Sequence, residues 1–203
     1  MVATAPSLLR AARRRVSRRR LLGLLPNLIS LGRLLAVPLA VWLMLGEHYA
    51  ASFWLFVAAG ISDALDGFLA RNFGHRTTIG GYLDPLADKA LLTSVYVTLG
   101  LKGHMADWLV ILVVFRDVLI IGGALLYQLF TQALRMQPLF ISKLNTLAQI
   151  TLAAVVLADL GLGVVDPGIS AVLVHVVAAT TFLSGAAYVV IWSWRLLSLE
   201  DRP

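Results

Sequence analysis

The sequence predicts an all-α integral membrane protein: six transmembrane helices, preceded by an N-terminal basic juxtamembrane segment. Three observations carry that expectation. Of 203 residues, 59% are hydrophobic and 14% charged, against roughly 45–50% and about 25% in soluble domains. Apolar runs of about 20 residues recur along the chain, long enough for a helix to cross a hydrocarbon core of roughly 30 Å. Lys and Arg are concentrated in alternate connectors, as they are when one side of the membrane retains them.

Taken in order, residues 1–25 hold Arg10, Arg13, Arg14, Arg15, Arg18, Arg19 and Arg20 and no acid. This cluster supplies much of the net charge of +6. It suits either a solvated topology signal or an amphipathic helix lying on anionic lipid headgroups, rather than a nucleic-acid surface. An acid-free, Arg-rich start also fits a mitochondrial transit peptide, although Ser is sparse for one. The expected spans are 26–46, 49–71, 84–102, 106–130, 139–160 and 167–193, forming one membrane domain over 26–195 with a tail at 196–203. The second and fourth connectors carry Arg76, Arg135 and Lys143. The first, third and fifth carry Glu47 with His48, Lys102 with Asp107, and Asp159 with Asp166. Both termini are therefore expected in the cytoplasm. The absence of cysteine excludes disulfides and thiolate metal sites.

The chemistry concentrates in spans two and three. Carboxylates inside a membrane are costly and face a cavity, a metal or a partner. Four of the eleven acids are Asp63, Asp66, Asp84 and Asp88. Helical spacings of three and four put each pair on one face, so two helices can aim four carboxylates at one point. Such a group repels itself unless a cation holds it, and an all-oxygen set suits Mg²⁺ or Mn²⁺, as one ion or a pair. For Asp84, followed by Pro85, a helix cap with proline at the first helical position is the plainer alternative. Gly67 and Ala70, each one turn past an acid, and Gly80 with Gly81 keep these faces free of bulk for a ligand. Arg71 offers a planar fork to a diphosphate oxygen.

Asp63, Asp66, Gly67, Ala70, Arg71, Gly80, Asp84 and Asp88 fill the pattern D-x2-D-G-x2-A-R-x8-G-x3-D-x3-D. It resembles the signature of the CDP-alcohol phosphotransferase family, over roughly residues 26–195. The resemblance implies a CDP-linked lipid donor, with Asp63, Asp66, Asp84 and Asp88 as metal ligands and Asp88 also as general base. It implies that Asp66, Gly67, Ala70, Arg71, Thr77, Gly80 and Asn27 line the CDP-lipid site, and that the enzyme is a homodimer. No covalent enzyme intermediate is required.

The acceptor alcohol is to be sought in the second half. Arg116-Asp117 in span four and Phe140-Ile141-Ser142-Lys143-Leu144-Asn145-Thr146 at span five resemble the CDP-alcohol-type cardiolipin synthases, with Met136-Gln137 where those often carry a basic residue. The resemblance implies phosphatidylglycerol as acceptor beside CDP-diacylglycerol, with Arg116, Lys143, Asn145 and Arg33 as candidates for its phosphate. Glycerol-3-phosphate, with charge of about −2, would call for more cations than stand here. Arg33 and Arg116 could equally neutralise nearby acids. An ion or proton path is the alternative from another class, weakened because the four acids gather near one membrane face. The bacterial cytoplasmic membrane is the expected location, with the mitochondrial inner membrane as alternative and the active site facing the cytoplasm.

Overall fold

The computed structural model describes residues 29–73, 78–131 and 139–200, with side chains at 29–65, 86–125, 139–166 and 168–194. Six α-helices and no strand occur among the described residues: α1 (Ile29–Leu45), α2 (Tyr49–Phe73), α3 (Thr78–Leu101), α4 (Asp107–Thr131), α5 (Phe140–Leu162) and α6 (Pro167–Glu200). For α2, α4 and α5 the ends lie within two residues of the expected spans. The start of α3 differs. Its helix begins at Thr78, so Asp84 and Pro85 lie inside it, and Asp84 is not the helix cap that Asp-Pro suggests. Hydropathy marks where the apolar run begins, whereas the helix continues back through Gly81 and Gly80. Pro85 has no N–H for the Gly81 carbonyl, which a helix interior normally supplies.

On the described residues, three helices are long and apolar enough to cross a membrane: Asp107–Leu125, Phe140–Leu162 and Gly168–Trp194. Ile29–Leu45 and Tyr49–Leu65 are shorter apolar helices. Packing divides the chain into two units. One comprises the chain to Trp42 with Trp54–Leu91, the other Leu43–Phe53 with everything from Leu92 onward.

In the second unit, α6 packs on both α4 and α5. The faces are arranged for lipid rather than water. On α4, Trp108, Ile111, Phe115, Val118, Ile121 and Leu125 are exposed at steps of three or four, while Leu109, Val113 and Arg116 are buried. Lipid tails give apolar side chains no reason to turn inward, so close contacts and hydrogen bonds between helices organise the core instead. On α6 the buried stripe is Val177, Thr181, Ser184 and Tyr188. It meets α5 in antiparallel register. Asn145 Oδ1 accepts hydrogen bonds from Thr181 Oγ1 at 2.8 Å and Thr180 Oγ1 at 2.9 Å, and Arg116 reaches both Ser142 and Ser184. One turn further along α5, Gln149 is fully buried, as is Val177 one turn before Thr181 on α6. Among the described residues the Gln149 side-chain amide has no hydrogen-bond partner.

The connectors after α1, α3 and α5 are short and closed by backbone hydrogen bonds. After α1, Glu47 N–H donates to Met44 O at 3.1 Å and His48 N–H to Leu43 O at 2.9 Å, with Glu47 at φ 61°. After α3, Gly103 N–H donates to Gly100 O at 2.8 Å and His104 N–H to Leu99 O at 2.9 Å, with Gly103 at φ 74°. Both are Schellman motifs, which satisfy the last helical carbonyls through one left-handed residue. At Glu47 that residue is not glycine, a conformation that costs an L-residue roughly 1–2 kcal/mol. The two turns are tied together: Lys102 Nζ pairs with Glu47 at 2.9 Å, and Tyr49 Oη lies 2.9 Å from His104 Nε2. The hydrogen bond from Lys102 holds Glu47 below its usual pKa, and Glu47 raises that of Lys102. The pair therefore contributes between the ordinary carboxylate and lysine ranges and fades at either extreme. On α6, Asp166 caps the first turn by accepting from Gly168 N–H at 2.7 Å, with Pro167 at the first helical position.

A Cβ at Gly161 would stand 2.5 Å from the Ala50 backbone nitrogen, whereas one at Gly122 meets nothing within 4 Å. Gly161→Ala should lower the thermal midpoint in detergent by the equivalent of about 1–3 kcal/mol. Gly122→Ala should leave it unchanged or slightly higher. Gln149→Leu removes a buried amide that bonds nothing and should raise the midpoint, by about 1–3 kcal/mol. A fall would mean that the amide is satisfied by something held at that level.

Candidate active site

The first unit centres on one buried cation. Arg33 on α1 is 4% exposed, and its Nη1 pairs with Asp63 on α2 and with Asp88 on α3. A guanidinium cannot shed its proton, so burying it requires fixed acceptors nearby. Here they come from two different helices. The carboxylates themselves remain accessible, Asp63 at 51% and Asp88 at 43%. Of the sequence candidates, then, the structure brings together Asp63, Asp88 and Arg33. Arg33 stands with the acids themselves, as the simpler of its two sequence readings has it.

Asp66 stands three residues beyond Asp63 on α2 and Asp84 four residues before Asp88 on α3. Gly67, Ala70 and Arg71 follow on α2 and Gly80 precedes on α3. The side chains of these six lie outside the described residues, and Asn27 and Thr77 lie outside them altogether. Among the described residues no three acids or histidines gather as a metal-holding group, and a divalent cation would need Asp66 and Asp84 beside Asp63 and Asp88. Two half-exposed carboxylates from neighbouring helices already converge on a positive group, and their oxygens are the hard donors that Mg²⁺ or Mn²⁺ takes.

The acceptor candidates on α4 and α5 belong to the second unit and differ from one another in burial. Arg116 is 3% exposed: Nη1 donates to Asp117 at 2.8 Å, Nη2 to Ser142 at 2.5 Å and to Ser184 at 2.6 Å, and Nε to Ser184 at 3.2 Å. Lys143, in the first turn of α5, is exposed. Asn145 is fully buried on the opposite side of that helix, binding the two threonines of α6. Ser184, Thr180 and Thr181 were not singled out from sequence. Their signal is weak but real: hydroxyls interrupting an apolar span, in register with the one arginine of α4.

Comparison with known proteins places this arrangement. The profile of the CDP-alcohol phosphatidyltransferase family matches residues 23–194. The chain is 37% identical over 182 residues to the chloroplastic CDP-diacylglycerol–glycerol-3-phosphate 3-phosphatidyltransferase 1 of Oryza sativa subsp. japonica, covering 81% of this chain and 55% of the relative. It is 33% identical over 150 residues to the cardiolipin synthase (CMP-forming) of Rattus norvegicus, covering 66% and 50%. A probable phosphatidylglycerophosphate synthase of Mycobacterium tuberculosis is 38% identical over 100 residues, covering 46% and 48%. The chain spans about half the length of the curated relatives it matches.

Because Arg33 is held by two carboxylates, either one should be dispensable for stability. Asp63→Asn or Asp88→Asn alone should cost no more than about 1 kcal/mol of unfolding free energy, given how exposed each acid is. The double variant removes both described counter-charges from a buried guanidinium and should cost more than the sum of the singles, up to about 3–5 kcal/mol. Strict additivity in a double-mutant cycle would mean that the shared guanidinium does not couple them.

Proposed function

The chain belongs to the CDP-alcohol phosphatidyltransferase family, and from that premise we propose that it is a membrane-embedded cardiolipin synthase, joining CDP-diacylglycerol to phosphatidylglycerol with release of CMP. Asp63, Asp66, Asp84 and Asp88 would hold one or two divalent ions, Mg²⁺ or Mn²⁺. Asn27, Gly67, Ala70, Arg71, Thr77 and Gly80 contact the CDP-lipid. A bound ion would offset the negative charge that builds on the diphosphate oxygens. Asp88 takes the proton of the acceptor hydroxyl as its oxygen bonds to the phosphorus bearing the diacylglycerol. The bond from that phosphorus to the oxygen of CMP breaks in line. All six helices cross the bilayer, and the reaction faces the cytoplasmic side of a bacterial or mitochondrial inner membrane. The enzyme acts as a homodimer.

The observation that favours phosphatidylglycerol is the state of the cations on α4 and α5. With the carboxylate of Asp117 beside Arg116, the net charge of Arg116, Asp117 and the exposed Lys143 is one positive charge, shared between the Arg116 fork and the head of α5. One such charge suits a phosphodiester of −1 better than a phosphomonoester of about −2. A second reading, glycerol-3-phosphate as acceptor, is favoured by the identity with the rice relative, whose name carries that substrate.

Purified protein given CDP-diacylglycerol and Mg²⁺ with either acceptor, followed by mass spectrometry of the lipids, separates the two. Cardiolipin with CMP is the expected product, and Asp88→Asn should lower turnover by about 10²–10⁴-fold. Phosphatidylglycerophosphate as the sole product would overturn the acceptor while leaving the donor in place. Absence of CMP release with either acceptor would overturn the activity.

A further inference from the structure

We infer that Ser184 on α6 is a positioning residue for the Arg116 guanidinium, holding it ready for the acceptor's phosphate; the inference rests on the acceptor side of the proposed function. Ser184 is fully buried, and its Oγ lies 3.2 Å from Arg116 Nε and 2.6 Å from Nη2. It thus receives the fork from one edge. Elsewhere in these helices a hydroxyl satisfies itself by donating to the carbonyl four residues back, as Ser52, Ser62, Thr98, Thr146 and Thr151 do. Ser184 turns its oxygen to the arginine instead. The next residue extends the hold: a Cβ at Gly185 would stand 3.7 Å from Arg116 Cγ, so the aliphatic stem also runs close along α6.

The choice of acceptors around Arg116 has a chemical consequence. A guanidinium has five N–H donors, and the bonds to Ser184, Ser142 and Asp117 use four, leaving one on Nη1. Only Asp117 carries charge. The two serines fix the plane of the fork without adding a negative charge, and neutral hydroxyls are weaker acceptors than phosphate oxygens. An incoming anion can therefore displace a serine from the fork or add to the remaining N–H, whereas it could not compete with a second carboxylate at that edge. Ser184 keeps the fork aimed until the anion arrives, which lowers the ordering cost of binding.

The test measures acceptor KM, CDP-diacylglycerol KM, kcat and thermal midpoint for the full chain in detergent, using phosphatidylglycerol and glycerol-3-phosphate in turn. Ser184→Ala should raise the KM of whichever acceptor the wild type uses by roughly tenfold, the scale of a lost hydrogen bond to a charged group, with donor KM changed less than about twofold. Ser184→Thr, which restores the hydroxyl, should recover most of that loss. Should the alanine variant not fold, Ser184→Cys keeps the volume with a weaker acceptor and should shift acceptor KM in the same direction. An unchanged acceptor KM, equal shifts in both KM values, or a lower midpoint with neither KM moved would each overturn the inference while the wild-type activity stands. A wild type that uses neither acceptor would remove the proposed function and this inference with it.

Discussion

A guanidinium buried in an apolar helix bundle cannot be neutralised by losing a proton, so the protein around it must supply acceptors at fixed places. Arg33 imposes that requirement on α2 and α3, and Asp63 and Asp88 meet it. Arg116 imposes it again within the other unit, where Asp117 and two serines meet it. The two solutions leave different electrostatic remainders. Around Arg33, the described partners are two carboxylates, both charged. Around Arg116, one carboxylate faces one cation and the balance is made by dipoles, so the fork keeps a capacity for anions. One buried arginine is thereby met by charge alone, and the other by one charge and two hydroxyl dipoles, among the described residues.

Much of this was legible in the residues. Helix positions followed from apolar runs, because in lipid the exposed face is apolar and each span announces itself. The acids of α2 and α3 stood out because carboxylates are rare at such depth. The start of α3 was not legible, since Asp-Pro and a glycine pair imitate a boundary and only the backbone reveals that the helix runs through them. Nor was the partner of Arg33: its charge demanded acids, but which ones depended on how three helices pack. Ser184 was hidden for a similar reason. A serine in a membrane helix commonly bonds its own backbone, and its use by Arg116 follows from the α4–α6 contact, not from any local pattern.

Family and acceptor separate for a physical reason. The family match rests on a profile that covers residues 23–194, nearly the whole of the described chain. The two candidate acceptors differ by one negative charge, a difference that a single lysine or carboxylate can offset. Relatives bearing cardiolipin synthase and glycerol-3-phosphate transferase names accordingly match this chain at 33% and 37% identity, and identity of that order does not resolve a one-charge distinction.

The turns after α1 and α3 are two Schellman motifs joined by Glu47–Lys102 and Tyr49–His104, and the turn after α5 is closed at Gly163 by a bond to Asp159 O at 2.9 Å before Asp166 caps α6. A protease must draw several residues of its substrate into an extended strand within its cleft. These connectors have no such length to yield without unwinding a helix end. Proteases should find the folded protein nearly uncuttable at these turns, and a peptide tag inserted there would need a lengthened turn to present it.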